Sequence, residues 1–483
     1  MKVKNIQRVL CFLLSFSIIF IVAGCGDSGD TESYLGSEII TGEYFEDEAG
    51  NSNATSDGKN TTSSINSNGE NTDNNEVDDS KGEAAQPIKD PYANIPSELR
   101  GTTVKFATWI DHKSNESASV LKNFTAKTGI KVELVSVPQS GYMTKLVSMI
   151  ATDNAPDVFV DNNEFPTSLK IAQPLNSYIN LKDPIWDQNI KELGTINGRT
   201  FIINGADVHW NFVTGMFFQR AIAEENGIKT PYDYRDEGNW NWDTLRQFMI
   251  DYSNIPGEHW GGYIDADDLF KTCGAPLVKY SDGTFSSGIS DPNLTKTYQF
   301  YLDLLKNGYI VDTVKQEFMC DGRQALFFYS SWNMTKSASM WETLDLSKMG
   351  FIEAPSFAGN NNPTYAAALR AYGICQGSKN PKAAGYFLRY FLDVANYDEN
   401  EVWKNASIAK EMVERVRKAN SKMKPCYDFS LNCMNLVNSN LGSTTFNELK
   451  SSDPMQIATV LKSKEKIMKN SAAKANSVIK SAK

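Results

Sequence analysis

Residues 102–109 read TTVKFATW, 118–127 ASVLKNFTAK, 130–135 IKVELV, 142–151 YMTKLVSMIA and 156–160 PDVFV. Thr102 to Trp109 is rich in β-branched and aromatic residues, the composition of a buried strand. From Ala118 to Lys127 the apolar residues Val120, Leu121 and Phe124 recur at helical spacing, and Thr128-Gly129 follows as a stop signal. Ile130 to Val135 alternates as a second strand, Tyr142 to Ala151 is helical again, and Pro156 to Val160 is a third short strand. Strand, helix, strand, helix, strand predicts α/β architecture with a parallel sheet and crossover helices. Ligands of such sheets bind beyond the carboxyl ends of the strands. Here those ends are Trp109-Ile110-Asp111 and Val160-Asp161-Asn162.

Toward the N-terminus the composition changes abruptly. Residues 26–95 carry sixteen acidic and three basic side chains, a net of −13 in a chain whose formal charge is −10. Residues 51–80 are almost wholly Asn, Ser, Thr, Gly, Asp and Glu. Such a segment buries too little apolar surface to offset its ordering entropy and is expected to be a disordered acidic spacer. About 70 residues of flexible chain span roughly 45 Å. The patch Glu38 to Phe45 is less polar than its surroundings and has no assigned role. Residues 96–483 are formally neutral, which argues against a nucleic-acid surface.

The first 24 residues read as a secretion signal. Lys2, Lys4 and Arg8 precede the apolar run Val9 to Val22, which is short for a membrane span. Val22-Ala23-Gly24-Cys25 resembles the bacterial lipobox, and that resemblance implies cleavage before Cys25 and lipidation of its sulfur. More than one acyl chain there would anchor the protein stably to the membrane. Beyond Cys11 and Cys25 five cysteines remain, an odd number. Cys426 and Cys433 are close enough in sequence to bridge, though spacing does not establish it. With no CxxC pair and three histidines, a cysteine–histidine zinc site is not expected. Neither G-x-S-x-G nor GxxxxGK[ST] occurs, so no cofactor or metal is implied and an enzyme is not expected. Asp265, Asp267 and Asp268 are close enough for paired-carboxylate glycosidase chemistry, but the plainer reading is a solvated acidic loop.

A longer series of motifs points to one family. Phe124 to Val132 (FTAKTGIKV), Tyr142 to Leu146 (YMTKL) and Asn154 to Val158 (NAPDV) resemble the extracellular solute-binding proteins of carbohydrate ABC importers, the maltodextrin-binding relatives. Asn197 to Phe201 (NGRTF), Trp240 to Phe248 (WNWDTLRQF), Asp321 to Ala325 with Ser331-Trp332, and Gly377 to Ala384 (GSKNPKAA) resemble further segments of that family in the same order. The resemblance implies two α/β lobes joined by hinged crossover strands around a ligand cleft. On this reading residues 25–96 are lipidated cysteine and spacer, and 97–483 the solute-binding domain. Lobe one would be about 97–208 and 370–435, and lobe two about 209–369 and 436–483. Implied partners are a small ligand, most simply a sugar, and ABC permease subunits at the outer face of the cell membrane. A monomer is the expected state. A peptide, a uronic acid, or an adhesion or signalling role are the alternatives.

A sugar offers an apolar C–H face and an edge of hydroxyls, so its site needs flat aromatics and planar polar groups. Trp332 follows a buried-looking strand, Ala325 to Tyr329, and matches the family position that stacks on sugar. Trp109 and Asp111 lie at a strand end. Asp161 and Asn162 lie at another, with turn capping as their plain alternative. Trp210 falls in the expected first hinge within His209-Trp210-Asn211. Arg370 and Tyr372 flank the second, and Arg370 matters most for a ligand bearing a carboxylate. Trp240 and Trp242 start a helix and read as structural.

Overall fold

The computed structural model describes residues 90–311, 316–338 and 341–482. The expectations for the leader, Cys25, the spacer and the Glu38–Phe45 patch lie outside the described residues.

The opening segments form the elements their patterns predict. β1 (Thr103–Thr108), α1 (Ala118–Thr128), β2 (Lys131–Ser136), α2 (Tyr142–Ala151) and β3 (Val158–Asn162) alternate along the chain. β1 pairs in parallel with both β2 and β3. Gly129 ends α1 with φ 73°, in the left-handed region where glycine carries no Cβ penalty, and its N–H donates to the Thr125 carbonyl. α1 buries Val120 and Phe124, and Phe124 meets Phe387 and Tyr390 at 5.5 and 5.4 Å. A short β4 (Ala172–Gln173) follows.

The chain then crosses through 205–213 into a second sheet. Its strands are β5 (Thr214–Gln219), β6 (Trp260–Tyr263), β7 (Ile310–Val311), β8 (Gln324–Ser330) and β9 (Met349–Ile352). Their order is β7-β6-β8-β5-β9. β6, β7 and β8 run parallel, and β5 is antiparallel to β8 and β9. Helices α3 (Trp242–Ser253) and α4 (Ala266–Lys271) belong to this unit, which ends in β10 (Thr364–Ala366). A second crossover, 366–369, leads to β11 (Arg370–Cys375), which completes the first sheet in the order β2-β1-β3-β11-β4. β11 is antiparallel to β3 and sets Arg370 opposite Asn162. α5 (Pro381–Phe391) then covers β1 and β11.

The third crossover comes earlier than 435–436. Trp403 already bridges to Thr335, and α6 (Ala406–Asn420) packs on β9 of the second sheet, with Arg415 over the Tyr232 ring at 4.6 Å. β12 (Lys424–Cys426) pairs with β10. The last helix, α7 (Glu465–Ser481), packs on the strand Thr284–Ser287 of the second unit and also touches residues 167–170 of the first.

The folded body also starts earlier than residue 97. Tyr92 and Ile95 are buried, Tyr92 stands edge-on to Tyr390 at 5.3 Å, and Asp90 pairs with Lys127 at 3.2 Å. Among the described residues, apolar burial begins with this aromatic ring and isoleucine in a polar run. Cys426 and Cys433, close in sequence, do not bridge. Both are free thiols, one on β12 and one on the following helix, and Cys273, Cys320 and Cys375 are free as well.

Candidate ligand-binding site

The carboxyl ends of β1 and β3 and the start of β11 meet at one edge of the first sheet. Trp109 is half-buried there, edge-on to Tyr142 at 5.0 Å. The Arg370 guanidinium lies over the Trp109 ring at 5.0 Å and near the Phe212 ring at 5.7 Å. Arg370 Nη1 donates to Asn162 Oδ1 at 3.0 Å, a contact that follows from their cross-strand register. Phe212 arrives from the first crossover. Next to it, Val213 exchanges hydrogen bonds with Ser331 at the end of β8: its N–H donates to Ser331 Oγ at 3.0 Å, and the Ser331 N–H donates to the Val213 carbonyl at 2.7 Å. Trp332 is the next residue, half-buried on the single helical turn Ser331–Met334. Trp109, Asn162 and Arg370 are thus brought together, while Trp332 follows Ser331, which is bonded to Val213 beside Phe212.

The remaining candidates are placed differently. Trp210 is 1% exposed, stacks on Phe391 at 6.3 Å and donates from Nε1 to the Tyr397 hydroxyl at 3.2 Å. Tyr372 is also 1% exposed, among Phe106 and Phe391. Both sit in the apolar core beneath the sheet edge; Tyr372 shares the Arg370 face of β11 but lies two residues further along the strand, where that face is covered by Phe106 and Phe391. Asp161 is fully buried, accepting from the Glu164 N–H at 2.7 Å and Ser168 Oγ at 2.5 Å, and burial pushes its carboxyl up to about 6. Asp111 is exposed and accepts from the Lys113 N–H and Ser114 Oγ. The two aspartates therefore cap turns. Trp240 and Trp242 anchor to the carbonyls of Glu353 and Pro355 at 2.8 and 3.0 Å.

Asp265, Asp267 and Asp268 are not a solvated loop. They lie at the start of α4, where Lys271 pairs with Asp267 and Asp268 at 3.4 Å each and Lys450 pairs with Asp265. Burial and the Asp267 charge push Asp268 up to about 8. Two lysines crossing this cluster make it a structural ion network.

Between the two units, against the first two crossovers, lies a cavity of about 320 Å³. Phe212, Tyr365 and Tyr427 supply its aromatic faces, and Asp187, Asn211 and Arg417 its polar edge. Asp187 caps the helix Gln188–Leu193 and accepts from Asn211 Nδ2 at 2.7 Å, while Arg417 pairs with Asp207 at 3.2 Å. Tyr365 and Tyr427 come from neighbouring positions of β10 and the residue after β12. None of the residues predicted from sequence lines this cavity. The available signal was an aromatic beside each crossover, Phe212 after Asn211 and Tyr365 before Ala366.

A buried polar contact ties the units on another side. Glu116, from the loop after β1, accepts from Ser337 Oγ of the second unit at 3.1 Å, and its Oε1 lies 3.3 Å from His209 Nε2 in the first crossover. Burial holds the His209 imidazole below its ordinary value and drives His112, bonded to Ser117 Oγ at 3.1 Å, down to about 3.

Two units, three crossovers and an aromatic cavity between them suit a hinged receptor, and the comparison with known families agrees. Residues 119–407 match the family described as bacterial extracellular solute-binding protein. The chain belongs to this family. Within the bacterial extracellular solute-binding proteins it is 24% identical over 291 residues to the diacetylchitobiose binding protein DasA of Streptomyces coelicolor, covering 57% of this chain and 65% of that one. It thus spans just under two thirds of the length of that relative. Among solved structures it resembles the galacto-N-biose-/lacto-N-biose I-binding protein of the ABC transporter from Bifidobacterium longum, at 13% identity and a TM-score of 0.59, over 79% of this chain and 98% of that one. It also resembles the ABC transporter associated binding protein from B. animalis subsp. lactis in complex with beta-1,6-galactobiose, at 15% identity and a TM-score of 0.58, over 76% and 96%. These likenesses show the two-lobed α/β fold of the solute-binding proteins.

Proposed function

We propose that this protein captures a sugar or oligosaccharide outside the cell and delivers it to the permease of an ABC importer, without chemical change to the ligand. One observation carries the reading: a cavity at the crossovers between two α/β units, walled by Phe212, Tyr365 and Tyr427 and edged by Asp187, Asn211 and Arg417. Flat rings cover the C–H face of a sugar, and planar polar side chains meet its hydroxyls. Diacetylchitobiose, lacto-N-biose and beta-1,6-galactobiose are the ligands named for three proteins of similar sequence or fold, and all are short glycans. Hinge closure around the bound glycan would present the closed form to the permease. Trp109, Asn162, Arg370 and Trp332 extend the site along the sheet edges. Trp210, Tyr372 and Asp161 support it from behind, and Asp111 shapes its rim.

A thermal-shift screen of the chain from Gly26 against a glycan panel tests this. A ligand bound only by the folded state raises the melting temperature by mass action. A panel of amino acids, peptides and glycans in which only a peptide shifts the melt removes the sugar assignment. The lipobox reading adds an anchor at Cys25. Cys25→Ala is expected to release the protein into the medium or leave it unprocessed, and a cleaved mutant that still fractionates with membranes would refute it.

A further inference from the structure

Arg370 is 6% exposed, and among the described residues it forms no ion pair. Its Nη1 donates to the neutral Asn162 Oδ1, the Tyr372 hydroxyl lies beside it, and its Nε is buried with no hydrogen-bond partner. A buried cation is costly unless a carboxylate and full hydrogen bonding compensate it. Arg389 shows what compensation looks like in this same chain. It is 12% exposed and holds two carboxylates, Asp183 and Asp393, each at 2.6 Å. The carboxylate that feels the Arg370 charge is otherwise engaged. Asp161 feels its charge but spends its oxygens on Ser168 and the Glu164 amide.

The surroundings of the guanidinium are those of a binding group. Trp109 and Phe212 present their rings to it at 5.0 and 5.7 Å, holding its plane and excluding water. Phe212 is also a wall of the cavity between the units, so a ligand there is one ring away from Arg370. The unused Nε edge of a guanidinium matches a carboxylate in planar, bidentate fashion.

We infer that the ligand is an acidic glycan whose uronate carboxylate is received by Arg370 between Trp109 and Phe212. This rests on the sugar reading above and narrows it to a ligand class. Neutral hydroxyls would leave the charge uncompensated, whereas one carboxylate supplies both the missing counter-charge and the acceptor for Nε.

The test pairs oligosaccharides of galacturonate, glucuronate, mannuronate and guluronate with their neutral counterparts, titrated against the chain from Gly26. At least one uronate is expected to bind about tenfold or more tighter than its neutral counterpart. In Arg370→Gln that preference is expected to vanish, uronate and neutral counterpart binding the mutant equally, with the unliganded melting temperature unchanged or raised, since a buried charge without its partner is removed. Arg370→Lys, which keeps the charge and loses the fork, is expected to recover part of the preference. If neutral glycans bind as tightly as every uronate, the inference fails and the sugar reading stands. If Arg370→Gln and Arg370→Lys both lower the melt or weaken acidic and neutral glycans equally, Arg370 is a structural residue and the inference fails. If no glycan of either kind binds, the sugar reading itself falls.

Discussion

Trp109 and Trp210 stand within one region of the fold and are separated by what surrounds them. Trp109, just past β1, is half-buried and shares its ring with the Arg370 guanidinium at 5.0 Å. Trp210, in the first crossover, is enclosed by His112 at 5.1 Å, His209 at 4.5 Å and Phe391 at 6.3 Å, and its Nε1 is spent on Tyr397. The first has a charged, incompletely satisfied neighbour and a solvent-facing side. The second has only aromatic neighbours and a satisfied donor. The first setting is the one we propose for binding and the second is one for fold stability, and the comparison can be broken by experiment.

The largest effect is expected at the enclosed ring. Trp210→Ala should destabilise the fold by about 3–5 kcal/mol, as large-to-small changes of buried aromatics do, read from urea unfolding of the unliganded protein. Molecules that remain folded should bind ligand with unchanged affinity. A mutant as stable as wild type but unable to bind would move Trp210 into the site and erase the contrast. The same burial rule extends to the start of the body. Beginning the chain at residue 97 removes Tyr92 and Ile95 and should lower stability by about 3 kcal/mol through lost apolar burial, with ligand affinity preserved.

At the open edge the pattern inverts. Trp109→Ala should cost about 2 kcal/mol of binding, roughly thirtyfold in Kd, while shifting the unliganded melt by only a few degrees. Trp332→Ala should weaken binding at least tenfold with the same small change in the melt. A melt that falls far in either mutant assigns that ring to packing.

The smallest effect concerns the histidine beside Trp210. Burial, the Arg370 charge and His209 hold the His112 imidazole down to about 3, against an ordinary value of 6.5. The folded protein keeps it neutral while the unfolded chain takes up a proton below about 6.5, so stability from this group is present at pH 7.5 and is lost as the pH falls. Between pH 7.5 and 5.5 the loss is about 1.4 kcal/mol. Wild type should therefore lose that much relative to His112→Phe over this interval, measured by unfolding both proteins at each pH. Parallel pH profiles would show that His112 titrates normally and that the enclosure around Trp210 is looser than its geometry implies.

Much of the framework was legible before any coordinates. The helical spacing of Val120 and Phe124, the stop at Gly129 and the alternation at 130–135 describe local preferences that the tertiary structure kept. The strand ends pointed to Trp109 and Asn162, the expected second hinge to Arg370 and the motif series to Trp332, whose part in binding is the proposal made above. The aspartates were read less well. Asp111 and Asp161 stand at the right strand ends, but their oxygens go to turn amides and hydroxyls within seven residues. Capping and ligand contact use the same residue types at the same positions, and sequence does not separate them.

What the sequence determined by itself is periodic and local: the β1-α1-β2-α2-β3 unit, the neutral body behind an acidic segment, and the order of family motifs. What only the tertiary structure decided is which distant segments share a wall. β11 joins the first sheet some 200 residues after β3 and there sets Arg370 on Asn162. Phe212, Tyr365 and Tyr427 meet across three separate crossings of the chain, and Cys426 and Cys433, close in sequence, are held on different elements. Periodicity reports which face of an element seeks the core, because that follows from backbone geometry alone. The partner of each face is chosen by packing among remote elements, a collective property that no window of sequence contains.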